Sequence, residues 1–531
     1  MLRTFRDGRH NSRELRPVPL GASPRAPAQS PVRNSNGTGV NRRLHLEIPG
    51  LRERSAWGCL ALFIFTLSLA AALRLWDIGN KPGWQADEPV YTSIARNILL
   101  HGTLNDHTQY AASWSPFLYH PPFYALLLSQ WFRVFGVGIP QARELSAVAS
   151  IVMFVLLGWL IFRLHGLVTA LVTLIFLMFD GWLIFVQRIS YIENTLIILV
   201  VASLLAYQWA IRSPSAGRFI AVGALLGFTA VFKHTGFYVL PAVALHYVMT
   251  RQEGRKHLLL ASTAAAVIGL YAGGMIWLFD IGRRRWYLAQ TLLQINRVLG
   301  LRQSRGTLGS PLKFLHLLSH QYAVFVPSLI VAIGGIALLC FRSIQCVRSR
   351  SWRPVRSNSI LYCWSVAAIV VFGASQLRFP QYFALLLIPV YCFLWTELAR
   401  NALPWRRSKV IFAAGIAAIV VGASMWSFYS RVVTRNDNVL QRAERYVERH
   451  IPRTDAVITE EPIADEIPQP WCSVARAGAC RIVSPYAITY KTYLQPIAPS
   501  GDRAFSIIMK GATKLQTFVG FKETVTVWKL R

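Results

Sequence analysis

The sequence has few acidic residues and few charged residues of any kind. Asp and Glu number 24 in 531 residues, and charged side chains make up 15% of the chain, whereas soluble domains carry about 25%. Hydrophobic residues make up 53%, and the mean hydropathy is +0.38. This composition excludes an ordinary soluble multidomain protein and predicts a polytopic α-helical membrane protein.

Cysteine is also scarce, with seven residues, which excludes a disulfide-rich scaffold. Five of the seven lie in or beside apolar runs, where a thiol acts as a small hydrophobe. Cys472 and Cys480 lie far from any such run. If their segment faces an oxidising compartment, the short loop between them permits a disulfide; otherwise they are two free thiols.

Positive charge is the one kind of charge in excess: 56 Lys and Arg give a net charge of +32. Such an excess can indicate nucleic-acid binding. However, most basic residues sit in short segments beside apolar runs, as the positive-inside rule requires. The sequence has no zinc-finger spacing and no RNA-binding aromatic signature, so we expect no nucleic-acid partner.

Apolar runs close to the spanning length of about 20 residues divide the chain into three parts. Residues 1–56, rich in Arg, Pro and Ser, are predicted to be a disordered cytoplasmic tail. Residues 57–430 are predicted to form the membrane domain, and residues 431–531 a small extracytoplasmic α/β domain. Eleven predicted spans lie at 57–76, 145–163, 167–186, 193–211, 218–232, 236–250, 258–279, 322–341, 359–376, 382–398 and 410–430.

The distribution of basic residues supports an odd number of crossings. With the tail inside, eleven spans place the Arg-rich segment 342–358 inside and the C-terminal domain outside. Counting residues 122–136 as a span would reverse this, but that segment is short and polar enough to be an interfacial helix. The pair 218–232 and 236–250 is the weakest, because one fused helix would make the total even.

The first outer loop contains a helix pattern over residues 83–102. Asp87 is placed to cap it, Pro89 suits its first turn, and Gly102 suits its end. On these features alone, Asp87 is a cap and Glu88 a first-turn acid favoured by the helix dipole. Their position directly after the first span, in a chain poor in acids, also fits a catalytic role.

Several motifs occur in order along residues 57–430. The ADE helix is followed by YHPPFYALLLSQWFRVFG, QARELSA, SYIENTLIILV, FKHTGFYVLPAV and RFPQYFALLLIPV. The set resembles the bacterial polyprenol-phosphate-sugar glycosyltransferases of the GT-C fold (glycosyltransferase family 39), which are relatives of the protein O-mannosyltransferases and the lipid A aminoarabinose transferases. The resemblance implies a GT-C membrane domain with interfacial helices in the first outer loop.

The resemblance also implies roles for individual residues. Asp87 would be the general base, and Glu88 would assist it or pair with Arg143 to fix the loop. Residues matching the family's donor-binding positions are His120, Glu193, Lys233, Arg378 and Tyr382. Each has a simpler interpretation, respectively as an interfacial histidine, a first-turn acid, a snorkelling lysine and a pair of interface anchors.

The predicted outer segment 280–321 breaks the charge rule, because it holds seven basic residues and one acid. We expect Arg283, Arg284, Arg285 and Arg297 to hold the lipid phosphate or lipid headgroups, unless the span boundary is misplaced. No set of side chains has dedicated metal-ligand spacing, so no cofactor or metal is expected.

The function predicted from these features is that of an inverting glycosyltransferase in the cytoplasmic membrane. It would move one sugar from a polyprenyl-phosphate donor to a lipid, glycan or protein acceptor on the extracytoplasmic face. The alternatives are a transporter or lipid flippase and a non-catalytic scaffold. A transporter tends to carry charges at mid-membrane and repeated halves, and the sequence shows no matching halves.

Overall fold

The three-dimensional structure is a computed structural model. It describes residues 51–84, 87–105, 118, 120–250, 254–281, 287–292, 325–374, 380–402, 407–434, 438–459, 467, 469, 471–473, 484–492, 509–519 and 523–530.

Most of this structure is α-helical, because its long apolar stretches contain few helix-breaking residues. Those before residue 435 are α1 (Leu51–Leu75), α2 (Asp87–His101), α3 (Phe123–Phe135), α4 (Ile139–His165), α5 (Leu167–Met178), α6 (Gly181–Gln187), α7 (Ile192–Arg212), α8 (Ala216–Phe232), α9 (Val239–Thr250), α10 (Gly254–Phe279), α11 (Val326–Arg348), α12 (Ser359–Ala374), α13 (Pro380–Ala402) and α14 (Arg407–Phe428). Short 3₁₀ segments span His234–Tyr238 and Arg353–Asn358, and a π turn spans Tyr429–Val433.

Eight helices in the described part of the chain are long and apolar enough to cross a membrane, or nine if the bent pair α5 and α6 counts as one span. The protein is therefore a multi-pass membrane protein. Within the described residues, each of the eleven predicted segments overlaps at least one helix, and segment 167–186 is divided between α5 and α6. Helix α8 has 17 residues and α9 has 12, which is short for a crossing. The number eleven stays a prediction. The segment 122–136, which is predicted to be interfacial, contains the 13-residue helix α3.

The bend between α5 and α6 is stabilised by Asp180, a buried acid within the third predicted span. Its Oδ1 accepts a hydrogen bond from the Leu183 N–H (2.9 Å), which caps α6. Its Oδ2 accepts from Ser328 Oγ (2.7 Å) and Tyr391 OH (3.1 Å). These contacts account for Asp180 as a structural cap that ties α6 to α11 and α13.

The helices differ in how much of their surface the protein covers. In the most apolar stretch of each helix, the buried share is 89% for α13 and 61% for α4. It is only 17% for each of α1, α10 and α14. Buried apolar side chains of α4, α5, α7 and α13 form the main core. The outer helices leave large side chains such as Leu270 and Ile419 exposed, as expected for surfaces that face lipid.

One end of the bundle is marked by polar contacts between helix ends. Arg212 at the end of α7 donates to the Arg163 carbonyl near the end of α4 (2.8 Å). His165 hydrogen-bonds Asn358 (3.0 Å), and Arg400 donates to Ser357 (2.7 Å). The basic connections predicted to lie inside therefore meet at this end, which we call the basic end. The start of α4 marks the opposite end.

The C-terminal segment lies at the opposite end from the basic connections. Helix α15 (Val439–His450) packs on strands β1 (Val457–Thr459), β2 (Trp471–Ser473), β3 (Tyr486–Thr492), β4 (Thr513–Val519) and β5 (Glu523–Lys529). The sheet order is β2-β1-β3-β5-β4, with β1 parallel to β2 and β3 and the other pairs antiparallel. Trp84 and Ile139 belong to the same apolar cluster as α15 and the sheet. This segment therefore packs directly on the loop before α2.

Cysteine labelling will test which side each end faces. Ser349→Cys lies on an exposed turn at the basic end, and Thr454→Cys lies on an exposed turn after α15. We expect a membrane-impermeant maleimide to label Thr454→Cys in intact cells and Ser349→Cys only after permeabilisation, because basic loops stay in the cytoplasm. Labelling of Ser349→Cys in intact cells would invert the proposed topology.

Candidate active site

The candidate site is built around the start of α2, at the end of the bundle that carries the C-terminal segment. Asp87 is the first residue of α2, although its side chain lies outside the described residues. Helix α2 ends at His101, and Gly102 follows with φ of 65°, donating its N–H to the Ile98 carbonyl (3.0 Å). This is the glycine termination that the sequence predicts.

Glu88 forms a buried ion pair with Arg143 of α4. Arg143 donates from Nε to Oε1 (2.7 Å) and from Nη2 to Oε2 (2.6 Å), and both side chains are 0% exposed. Glu88 Oε1 also accepts from the Ser190 N–H (2.9 Å). Both oxygens are thus held in the parallel geometry that makes Arg–carboxylate pairs strong and directional. These contacts favour a positioning role for Glu88, the second of the two possibilities that the sequence leaves open.

The same guanidinium also holds the loop that precedes α2. Arg143 Nη1 donates to the carbonyls of Ile78 (3.0 Å) and Pro82 (2.7 Å), and Nη2 donates to that of Gly83 (3.1 Å). Arg143 therefore holds the backbone before Asp87 and the side chain of Glu88 directly after it.

Two further buried arginines support this region, and the sequence analysis did not single them out. Arg188, between α6 and α7, donates to the carbonyls of Leu73, Trp76 and Lys81. Arg74 of α1 donates to Gln187 Oε1 (2.8 Å) and to the carbonyls of Ala70 and Met178. Both are 0% exposed. The sequence signal that could have identified them is an ionisable residue at the edge of an apolar span.

Aromatic and hydroxyl groups line the adjoining part of the site. Tyr124 of α3 shares a hydrogen bond with Ser190 Oγ (2.9 Å), and burial raises the pKa of its phenol. Its ring meets that of Tyr91 edge-on at 5.6 Å between centroids. The half-buried His120 ring lies 6.3 Å from Tyr91. The predicted donor-binding residue His120 is therefore next to α2.

Glu193 and Lys233 form the second buried ion pair of this end. Lys233 Nζ donates to Glu193 Oε1 at 2.6 Å, with side chains 2% and 1% exposed. Glu193 is in the first turn of α7, and Lys233 follows the last residue of α8. Among the described residues, Glu193 Oε2 has no hydrogen-bond partner. Lys233 Nζ also lies 5.4 Å from the centroid of the buried Tyr382 ring.

Ring contacts connect this ion pair to the first outer loop. Phe123, the first residue of α3, stacks on Phe232 with centroids 6.4 Å apart and lies edge-on to Phe228 at 5.2 Å. The structure therefore brings together the starts of α2, α3, α7 and α13 and the end of α8. Seven of the residues predicted for the site lie on or beside these elements or are bonded to them: Asp87, Glu88, His120, Arg143, Glu193, Lys233 and Tyr382.

The remaining predictions lie outside the described residues. These are Arg378, the arginines Arg283, Arg284, Arg285 and Arg297, and the Cys472–Cys480 disulfide, because Cys480 is not among the described residues. Next to the basic segment, Asp280 accepts from the N–H groups of Tyr287 (2.8 Å) and Leu288 (3.0 Å). Gln290 accepts from the Leu118 N–H (2.7 Å), which ties residues 287–292 to the first outer loop.

Within the described ranges, no group of three or more His, Cys, Asp or Glu side chains is arranged to hold a metal ion. The expectation that no metal or cofactor is needed stays a prediction, since the side chain of Asp87 is not among those residues.

Comparison with known proteins confirms the GT-C resemblance. Residues 119–277 match the family model described as dolichyl-phosphate-mannose-protein mannosyltransferase. No curated protein sequence matched. ArnT from Cupriavidus metallidurans, solved bound to undecaprenyl phosphate, is 13% identical with a TM-score of 0.61, over 88% of this chain and 97% of that chain.

A second solved structure has the same fold. The Archaeoglobus fulgidus oligosaccharyltransferase in its apo form is 13% identical, with a TM-score of 0.51, over 81% of this chain and 69% of that chain. At these identities the structural likeness establishes the fold, which is GT-C.

Proposed function

We propose that this protein is an inverting glycosyltransferase that transfers one sugar from a polyprenyl phosphate to an acceptor on the extracytoplasmic face of the cytoplasmic membrane. The observation that carries the proposal is the start of α2. Asp87 stands there beside Glu88, which Arg143 and the Ser190 N–H hold in place. The Glu193–Lys233 pair lies at the same end of the bundle. The matched family model and the solved ArnT fold support it.

Asp87 is the proposed general base. A carboxylate at this position would remove the proton from the acceptor hydroxyl as its oxygen attacks the anomeric carbon of the donor sugar. The bond between that carbon and the phosphate oxygen breaks, and polyprenyl phosphate leaves with the bonding electrons. One displacement inverts the configuration at the anomeric carbon. Glu88 keeps its carboxylate bonded to Arg143 and fixes the backbone from which Asp87 acts.

Lys233 is the proposed partner of the donor phosphate. The ammonium group of Lys233 carries three N–H donors. Among the described residues, one of these donors is hydrogen-bonded, to Glu193 Oε1. The leaving phosphate gains negative charge in the transition state, and a buried cation stabilises that charge strongly. Glu193 would orient Lys233, and Glu193 Oε2 would accept a hydrogen bond from a hydroxyl group of the sugar. Tyr382 and His120 line the same region, and Arg378 and Arg283–285 remain further proposed phosphate contacts.

Removing the Lys233 charge should weaken donor binding. For Lys233→Met we expect the Michaelis constant for the lipid-phosphate donor to rise about ten- to a hundredfold, because a hydrogen bond to a charged group contributes about 1.5–3 kcal/mol. Steady-state kinetics will measure it. Lys514→Met, at an exposed position on β4, is the matched control and should change nothing. An unchanged Michaelis constant for the donor in Lys233→Met would show that Lys233 does not bind the donor phosphate.

Incubating the purified protein with a panel of isotope-labelled polyprenyl-phosphate sugars tests the proposed function. At least one donor should be consumed, with equal amounts of free polyprenyl phosphate and of sugar released to water or an added acceptor. A transporter or flippase would leave every donor chemically intact. If no donor is consumed by folded protein, the proposed function is wrong.

A further inference from the structure

Arg188 is a buried cation whose hydrogen bonds to described residues all go to backbone carbonyls. Its Nε and Nη2 donate to the Lys81 carbonyl (3.1 and 2.8 Å). Its Nη1 donates to the Leu73 carbonyl, and Nη2 also donates to that of Trp76. Within the described ranges, no carboxylate lies in ion-pair contact with this guanidinium. The negative charge of nearby Asp77 favours the guanidinium, but burial and Arg143 outweigh it. Burying a charge is costly, so the retention of Arg188 calls for a specific use.

The carbonyls that Arg188 gathers lie on both sides of the turn after the first span. Leu73 is in the last turn of α1, Trp76 follows the helix end, and Lys81 lies beyond the turn. A guanidinium carries its donors in a rigid planar fork. It can therefore fix the exit of α1 and the far side of the loop at once, which a single-point donor cannot do.

The segment that carries Arg188 also touches the catalytic helix. Two residues later, the Ser190 N–H donates to Glu88 Oε1 (2.9 Å), next to Asp87. Burial and the neighbouring Arg143 lower the pKa of Arg188 to about 10, which leaves it charged at pH 7. Arg143 holds Ile78, Pro82 and Gly83, so the two arginines together hold the loop from Leu73 to Gly83.

We propose that Arg188 is a positioning residue that sets the path of residues 73–83 and thereby the location of Asp87. It acts through the loop rather than by touching the substrate. This inference rests on the proposed function for its effect on catalysis, whereas its effect on the loop can be measured without any substrate.

The experiment compares Arg188→Lys, Arg188→Gln and the control Arg212→Gln. Arg212 also donates to a backbone carbonyl, but it is exposed and lies at the basic end. Hydrogen–deuterium exchange of the full-length protein in detergent will follow the backbone amides of residues 76–84. We expect faster exchange there in both Arg188 variants and the wild-type rate in Arg212→Gln.

Kinetics should show the matching change. Because a displacement of about 1 Å can cost about a hundredfold in rate, we expect kcat to fall about ten- to a hundredfold in Arg188→Lys, with the Michaelis constant for donor within about twofold. Arg188→Lys keeps the positive charge but loses the planar set of N–H donors of the guanidinium. If Arg188→Gln does not fold, Arg188→Lys alone decides.

Two results would overturn the inference. One is wild-type exchange of residues 76–84 in Arg188→Lys, and the other is wild-type kcat in that variant, which would mean that charge alone suffices. Failure of the proposed function would look different, because no variant or wild type would then consume a donor, while the exchange of the loop would still report the role of Arg188.

Discussion

Asp87→Asn should abolish sugar transfer while leaving the protein folded and able to bind donor. Asparagine has nearly the same shape as aspartate but cannot accept the proton of the acceptor hydroxyl. Loss of a general base costs about 10²–10⁴ in rate, so we expect kcat to fall by that factor. The measurement is the initial rate of free polyprenyl phosphate formation at saturating donor.

The matched control for this variant is Glu448→Gln, which neutralises an exposed acid on α15. It should keep the wild-type rate. Donor affinity of Asp87→Asn should stay within a few-fold of wild type, which separates loss of chemistry from loss of binding. Activity of Asp87→Asn within a factor of a few of wild type would show that another group removes the proton.

Arg143→Met should produce the largest loss of stability among the single substitutions considered. Removing the guanidinium leaves Glu88 charged at 0% exposure and leaves the carbonyls of Ile78, Pro82 and Gly83 without these donors. Removing one partner of a buried ion pair costs about 3–5 kcal/mol. We therefore expect a large fall in the midpoint of thermal unfolding in detergent, together with loss of activity.

A double-mutant cycle checks the cause of that loss. Glu88→Gln combined with Arg143→Met should cost clearly less than the sum of the two single variants, because the uncompensated charge is gone. Arg400→Met is the control, since Arg400 is partly exposed and lies 3.4 Å from Glu397. We expect it to cost at most about 1 kcal/mol. Equal losses in Arg143→Met and Arg400→Met would contradict the account.

The sequence predicts the extent of helix α2 well because its signals are local. The cap position, Pro89 in the first turn and Gly102 after the last residue all concern backbone groups within a few residues of one another. The structure places the helix at Asp87–His101. The Glu88–Arg143 pair appears in the sequence only as one of two options, since the partners are 55 residues apart.

The contacts of Arg188 and Asp180 could not be predicted, because their partners are distant in sequence. Arg188 donates to carbonyls more than 100 residues away. Backbone carbonyls are present in every residue, so the sequence does not show which of them will accept these hydrogen bonds. Asp180 inside an apolar run suggests function by default. Its contacts with Ser328 and Tyr391, which only the folded bundle brings together, account for it as a cap.

The number of crossings is hard to predict for a related reason. Helices α8 and α9 are separated by a 3₁₀ turn that includes Gly236, where a Cβ would lie 2.2 Å from the Thr229 carbonyl oxygen. Hydropathy averages cannot distinguish two short crossing helices from one broken helix. In the C-terminal segment, the strand-like runs AVIT and TVTVWKL lie on β1 and β5. The parallel pairing of β1 with β2 and β3 depends on tertiary packing.

The anomeric configuration of the transferred sugar tests the central claim most directly. With a donor of known configuration, nuclear magnetic resonance of the first product formed by the wild-type protein will show how many displacements occur at the anomeric carbon. A single displacement by an acceptor that Asp87 activates predicts the opposite configuration in the product. Retention of configuration, or a donor that stays intact, would contradict the account.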